Sequence, residues 1–405
     1  MNKKRGSNIN NLKLQNRALV LKMLATVGNL SRVDLANLTG LSKMTVGNII
    51  SELISQNLVE EDLSETDDKI LSPLGRPAIK LKLSSLSPCI CGMLIKRGFC
   101  QVIIADLGGK VLDQVTYPYI GEISANNLTN MLLDGFFLLK NRSNRRLIAV
   151  SISSIGPVDI ISGILLNPPA FYNIENLHIV DIIKEATSLP AYLINDANAG
   201  VLAEMLYGVG MNDSNFMYLH IMNGIGAGLV LMEKLYNGNL GQSGEIGHTS
   251  INYSGPKCSC GNVGCLDLYA SVENMTKRAR SLSGFYENSK LATIYNPTWL
   301  NIVDNASMGD PVAITVLSEF CDYTAQALIN VLNILDLTLV IVGYDRTYNK
   351  DIVEKILQEK ITSSVLYSKY RSIRFVHSTF NGEAPLIGSI ANVADKVFNL
   401  EIEIQ

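Results

Sequence analysis

The chain has 405 residues, 47% of them hydrophobic and 18% charged, with 34 Lys/Arg against 37 Asp/Glu and a net charge of −3. That length exceeds a single simple core and predicts two or three domains, and the composition excludes a disordered or fibrous chain. Seven cysteines, an odd number and partly clustered, point to reduced thiols or metal rather than a disulfide framework.

Charge is unevenly placed: residues 1–82 hold 12 Lys/Arg against 8 Asp/Glu, leaving 22 against 29 for the rest. A positive end on a negative body hints at nucleic acid. "MNKKRGSNIN" has no apolar run behind it, so no signal peptide is expected. Apolar runs such as "LTLVIVG" at 337–343 are too short to cross a bilayer. A cytoplasmic protein without a membrane partner is expected.

In chain order, "NLKLQNRALVLKMLATVG" sets Leu14, Ala18, Leu21 and Leu24/Ala25 on one face of a helix that Gly28 ends. Ser31 suits the N-cap of a short helix from Val33 to Leu38, Gly40 a tight turn, and Ser42 the cap of a third helix. Val46, Ile49, Ile50 and Leu53 form that helix's buried stripe, leaving Ser42, Lys43, Thr45 and Asn48 on the other side. A helix-turn-helix presents such residues to the major groove, although any three-helix bundle with polar outer faces has the same spacing. "LVEED" and "AIKLKL" (78–83) predict two strands of a wing. Between them Arg76, stiffened by Pro77, suits a narrow minor groove, or else is an ordinary linker arginine.

From Pro88 strands alternate with helices. "CGMLIKRGFCQVIIADLGGKVLDQVTYPY" predicts a three-stranded meander turning near Arg97–Gly98 and Gly108–Gly109, and "RLIAVSISSIGPV" a buried strand. "IVDIIKEATSLPAYLINDANAGVLAEMLYG" predicts helix, strand, loop, helix; "FMYLHIMNGIGAGLVLM" a strand pair around a glycine-rich turn. "DPVAITVLSEFCDYTAQALINVLNILDLTLVIVG" predicts one long helix feeding a buried strand. The sum is α/β with mixed sheets, and no period of 20–50 residues recurs.

"CSCGNVGC" crowds Cys258, Cys260 and Cys265 around Gly261 and Gly264, and His248 in "GEIGH" is the nearest candidate for a fourth ligand. Cys₃His is a closed structural zinc set; the non-metal reading is three buried or redox-active thiols.

"GEIGHTSINYSGPKCSCGNVGCLDLYAS" closely resembles the signature of the ROK family of sugar repressors and sugar kinases, and "LINDANAGVLAEMLYG" and "GIGAGLV" resemble two further motifs of that family. The resemblance covers essentially all of residues 12–395. It implies an N-terminal winged helix-turn-helix followed by an actin-like (ribonuclease H-like) two-lobed sugar-kinase fold. The expected domains are 1–87 for DNA binding and linker, 88–200 for the first lobe, and 201–405 for the second lobe with the zinc loop, its C-terminal helix returning to the first. The family's ligands for structural Zn²⁺ match His248, Cys258, Cys260 and Cys265. Its sugar-binding residues match Asn195, Asp196, Glu245, His248 and Asp267, where most relatives have Glu, with Gly156 and Gly224 approaching the sugar backbone-first. Carboxylates accept paired hydrogen bonds from neighbouring hydroxyls, and a zinc-bound imidazole keeps one ring nitrogen to meet a hydroxyl. Read without the family, Asp196 is a helix cap.

Kinases of the family use the aspartate matching Asp196 as general base and need a phosphate loop resembling "DxGGT". Here that position reads "LIKRG", Leu94 to Gly98, and the family's "GG" near the adenosine reads Gly343-Tyr344. Aspartate and glycine pair are both replaced, so a non-catalytic, sugar-responsive regulator is expected, with a sugar kinase as the alternative and a regulator controlled by a protein partner as a third. Expected partners are operator DNA and a sugar or sugar phosphate. A homodimer, or dimer of dimers, would set recognition helices in successive major grooves of a palindromic operator.

Overall fold

The computed structural model describes residues 9–63, 78–121, 123–167, 174–239, 241–286, 288–366 and 368–404. Its first elements follow the capping signals. Helix α1 (Ile9–Thr26) leads through Gly28, at φ +82°, to strand β1 (Leu30–Ser31) and α2 (Arg32–Thr39). Ser31 and Asp34 form a capping box at the start of α2. Gly40, at φ +70°, turns the chain into α3 (Lys43–Ser55), whose buried residues are Val46, Ile49, Ile50 and Leu53. Along α1 one expectation fails: Leu14 is exposed and Val20 is buried with Ala18, Leu21, Leu24 and Ala25. Residues 11–15 are all exposed, so α1 packs only beyond its first turns.

Strands β2 (Val59–Asp62) and β3 (Lys80–Leu83) pair antiparallel, and β1 joins the other edge of β3, giving the order β1-β3-β2. Three helices with this small sheet make a winged helix-turn-helix. Arg76, expected between the two wing strands, lies outside the described residues.

The next elements are β4 (Cys89–Lys96), β5 (Phe99–Asp106), β6 (Val111–Pro118), α4 (Ala125–Arg142), β7 (Leu147–Ser154), the short pair β8 (Val158–Asp159) and β9 (Ile164–Leu165), α5 (Ile179–Thr187) and β10 (Ala191–Asn195). They form a sheet of order β10-β7-β4-β5-β6, antiparallel across β4, β5 and β6 and parallel between β4 and β7. Helix α4, which the sequence reading leaves unassigned, buries Leu128, Leu132, Phe136 and Leu139 against Cys91, Met93, Val102 and Ile152 of this sheet.

Helix α6 (Asp196–Tyr207) follows β10 with no loop, contrary to expectation. Asn195 ends the strand and caps the helix, its Oδ1 accepting from Ala197 N at 2.9 Å and Asn198 N at 3.3 Å. Then come β11 (Phe216–Ile221), β12 (Ile225–Leu231), β13 (Lys234–Leu235), α7 (Asp267–Ala270), α8 (Val272–Leu282), α9 (Trp299–Ser307), α10 (Pro311–Leu335), β14 (Leu339–Gly343), α11 (Ile352–Thr362), β15 (Arg374–His377) and α12 (Ala384–Phe398). Their sheet order is β13-β12-β11-β14-β15. Again three strands run antiparallel before two are added in parallel.

Both sheets therefore follow one plan, an antiparallel triplet extended by parallel crossover strands. This is the duplicated ribonuclease H-like, actin-like fold. By contacts the chain divides into one unit of Met1–Ile194 with Ser389–Gln405, and another of Asn195–Gly388. Helix α10 is long and apolar enough to span a bilayer by length and composition, a candidate the search for unbroken apolar runs passes over. Its Val312, Val316, Phe320 and Leu328 lie fully buried in the core of the second unit.

Candidate functional site

On α3 the outer face is polar and open. Ser42 Oγ accepts from Thr45 N at 3.1 Å and sits 2.9 Å from Thr45 Oγ1, so the cap also orders the first turn. Lys43 and Asn48 are exposed and Thr45 is half-buried. Met44 is 76% exposed in the same turn, a large apolar side chain the sequence reading overlooks.

In the second unit His248, Cys258, Cys260 and Cys265 converge, their ligand atoms all within 4.8 Å of one another. Backbone hydrogen bonds fold the segment back on itself: Cys258 N donates to Asn262 O at 2.8 Å, Gly264 N to Pro256 O at 2.8 Å, and Leu266 N to Thr249 O at 2.9 Å. Gly264, at φ +64°, has no room for a side chain, since a Cβ would lie 1.8 Å from Asn252 O. Asn262 Nδ2 donates to His248 O at 3.1 Å and ties the histidine to the loop. Burial opposes ionisation of Cys258, yet hydrogen bonds from Cys260, His248 and Cys265 outweigh it and bring the thiol down to about 7. Cys265 is pushed up to about 12 by burial and by its two sulfur neighbours. One imidazole and three thiols at this spacing fit a soft or borderline divalent ion. Gly264→Ala is expected to open the loop and lower by about tenfold the chelator concentration that strips the ion, read by a colorimetric metal indicator.

Beside the loop lies a group of acids, all in the second unit. Asp196 opens α6, its Oδ1 accepting from Ala197 N at 2.8 Å. Its Oδ2 faces His220 Nε2 at 3.5 Å. Glu245 is open to solvent, yet the protein atoms around it partly desolvate the carboxyl and raise its pKa; Asp196 and Asp267 raise it further while His248 draws it down. Asp267 Oδ1 accepts from Ile225 N at 3.3 Å, in the turn after β11. Gly224 makes room for it, since a Cβ there would stand 2.9 Å from that oxygen. Asn195, Asp196, Gly224, Glu245, His248 and Asp267 thus share one unit, whereas Gly156 belongs to the other, at the end of β7.

His220 escapes the sequence reading. It is only 4% exposed, with Nδ1 3.4 Å from Tyr218 Oη. A histidine inside "FMYLHI" reads as core, and only the pairing of β11 with its neighbours turns it toward Asp196.

In the segment Leu94–Gly98 the first three residues end β4 and Arg97–Gly98 make the turn into β5, with Gly98 at φ +88°. Lys96 is buried and its carbonyl accepts from Tyr119 Oη. The similar "DLGG" lies one turn later, where Asp106 Oδ1 accepts from Gly108 N at 2.9 Å and Lys110 N at 3.0 Å. That carboxylate closes its own turn. Tyr344, beside Gly343, is fully buried and donates to Glu354 Oε2 at 2.9 Å; Glu354 Oε1 meets His377 Nδ1 at 2.9 Å.

A family model described as the ROK family matches residues 97–396. The xylose repressor of Bacillus subtilis (strain 168) is 28% identical over 393 residues, covering 96% of this chain and 97% of its own. A crystal structure of a ROK family transcriptional regulator, described as a homologue of the E. coli MLC protein, superposes with a TM-score of 0.76 at 29% identity, over 96% of this chain and 98% of that one. The ROK hexokinase of Thermus thermophilus shares the fold at a TM-score of 0.61 and 23% identity, covering 76% of this chain and 99% of its own.

Proposed function

The chain belongs to the ROK family, and on that premise we propose that it is a sugar-responsive, DNA-binding transcriptional repressor. The winged helix at residues 9–83, with α3 presenting Ser42, Lys43, Thr45 and Asn48, carries this conclusion. Relatives matching nearly the whole chain are named as repressors of xylose or N-acetylglucosamine systems, which supports it. The working division is DNA-binding residues 1–87, a first lobe that continues to Ile194 and takes back Ser389–Gln405, and a second lobe from Asn195 to Gly388, the sequence-based boundary near residue 200 being moved to 194/195. The whole forms a cytoplasmic homodimer whose two recognition helices meet successive major grooves.

In this proposal the sugar is held within the second unit by Asn195, Asp196, Glu245, His248 and Asp267, with Gly224 at a backbone contact. The closeness of solvent-accessible Glu245 to Asp196 and Asp267 supports the assignment, because grouped carboxylates suit a neutral ligand rich in hydroxyl donors. His248, Cys258, Cys260 and Cys265 would hold Zn²⁺, which fixes the loop and orients the imidazole.

Phosphoryl transfer is not proposed. Leu94 stands where the family's kinases carry the acid of the phosphate loop, and Lys96-Arg97 where they carry its glycine pair, so this segment offers neither a carboxylate for Mg²⁺ nor bare amides for phosphate.

The test uses duplexes with a random 30-base-pair core, enriched on the purified protein (a length of about three helical turns). Xylose, glucose, N-acetylglucosamine and their phosphates are then titrated into the complex, and ATP with Mg²⁺ is assayed alongside. One sugar is expected to lower affinity for the enriched duplex by tenfold or more, with no ADP formed. Enrichment of no sequence, or steady sugar-dependent ADP release, would remove the proposal.

A further inference from the structure

Among the described residues four glycines lie inside α-helices: Gly47 in α3, Gly135 in α4, Gly200 in α6 and Gly388 in α12. A helix interior disfavours glycine against alanine, because the freer backbone loses more entropy on folding. Three of the four have a packing reason. A Cβ on Gly135 would come 2.7 Å from Val102 Cγ2, on Gly200 2.3 Å from Tyr218 Cε1, and on Gly388 1.8 Å from Ala199 O.

Gly47 has none. A Cβ there meets nothing within 4 Å, and no positive φ calls for glycine. The residue is half-buried on the flank of the outer face of α3, beside exposed Lys43, Met44, Asn48 and Ser51. Its carbonyl is an ordinary helical acceptor, also receiving Ser51 Oγ at 3.0 Å. Folding alone would favour alanine at this position. Among the described residues nothing packed against this position accounts for the missing side chain.

We infer that Gly47 leaves the α3 backbone bare so that duplex DNA can come into van der Waals contact with it, making this residue a determinant of how deep the recognition helix seats in the major groove. The inference rests on the DNA-binding function proposed above. It adds that an absence of atoms sets the fit, while Lys43 and Asn48 supply polar contacts around the bare position. A helix lying in a groove about 12 Å wide leaves little slack for an added methyl group at its closest approach.

Three variants of the full chain test it: Gly47→Ala, Gly47→Ser and Gly47→Leu, on the duplex enriched with wild-type protein. Gly47→Ala is expected to melt no lower than wild type, yet to bind that duplex at least tenfold more weakly, with Gly47→Leu losing specific binding altogether. The slope of log Kd against log salt stays the same, because no cation contacting phosphate is removed. If wild type enriches a sequence and Gly47→Ala binds it equally well, the inference is wrong and the repressor stands. If wild type enriches no sequence, both fall.

Discussion

Replacing Cys265 with serine, or dialysing the protein against a strong chelator, is expected to release close to one zinc per chain and lower the melting temperature by about 10 °C. Little else holds the loop. Cys258 is half-buried and Cys260 exposed, Gly261 and Gly264 take left-handed conformations, and only Cys265 reaches into the core. Backbone hydrogen bonds shape the segment, but without an ion the four donors would crowd each other with no shared partner. Structural zinc contributes about 10–16 kcal/mol of apparent binding energy in small peptides. A fraction of that, a few kcal/mol on a unit of this size, corresponds to a shift of about 10 °C at roughly 2–4 °C per kcal/mol. Cys321, buried against α11 and outside the cluster, is the control: Cys321→Ser should keep its metal. Elemental analysis of freshly purified protein decides the matter, and a chain without a transition metal ends the zinc assignment. Sugar response should vanish with the ion, because His248 then loses its fixed orientation.

The winged helix was legible because its signals are local. Ser31 and Ser42 are caps, Gly28 and Gly40 are stops at positive φ, and the stripe Val46, Ile49, Ile50, Leu53 has a helical period. The meander from Cys89 to Pro118 was legible for the same reason, its turns marked by glycine. Duplication of the sheet plan was not. Between β13 and β14 the second copy carries the zinc loop and four helices, where the first copy has α4 alone between β6 and β7. No fixed repeat length survives such an insertion, and pairing direction cannot be read from hydrophobic pattern alone. The acidic group was visible only through family resemblance, since Asp196, Glu245 and Asp267 lie far apart in the chain and strand pairing brings them together. His220 went unseen because sequence alone cannot say which face of a buried strand a polar ring occupies.

The double variant Asp196→Asn, Glu245→Gln is expected to bind the enriched duplex as wild type does, and to keep its zinc, but to lose release by sugar over at least a hundredfold range of concentration. Both replacements keep the shape of the side chain. The amide oxygen of an asparagine at 196 can still accept from Ala197 N, as Asp196 Oδ1 does at 2.8 Å. Glutamine at 245 removes a charge that Asp196 and Asp267 already disfavour, at a position open to solvent, so the fold should not weaken. What changes is the ligand. Each carboxylate can accept from two hydroxyls, whereas an amide offers one acceptor and sets two N–H donors against hydroxyls oriented to donate. Hydrogen bonds to charged groups contribute about 1.5–3 kcal/mol apiece, so losing two costs on the order of a hundredfold or more in affinity. The single variants separate the contributions: Asp196→Asn also removes the charge facing His220, and Glu245→Gln leaves that pair intact. Isothermal titration with the sugar that releases wild type measures each step. A double variant that binds this sugar as tightly as wild type would show that the acids beside the zinc loop are not its site, whatever the winged helix does on DNA.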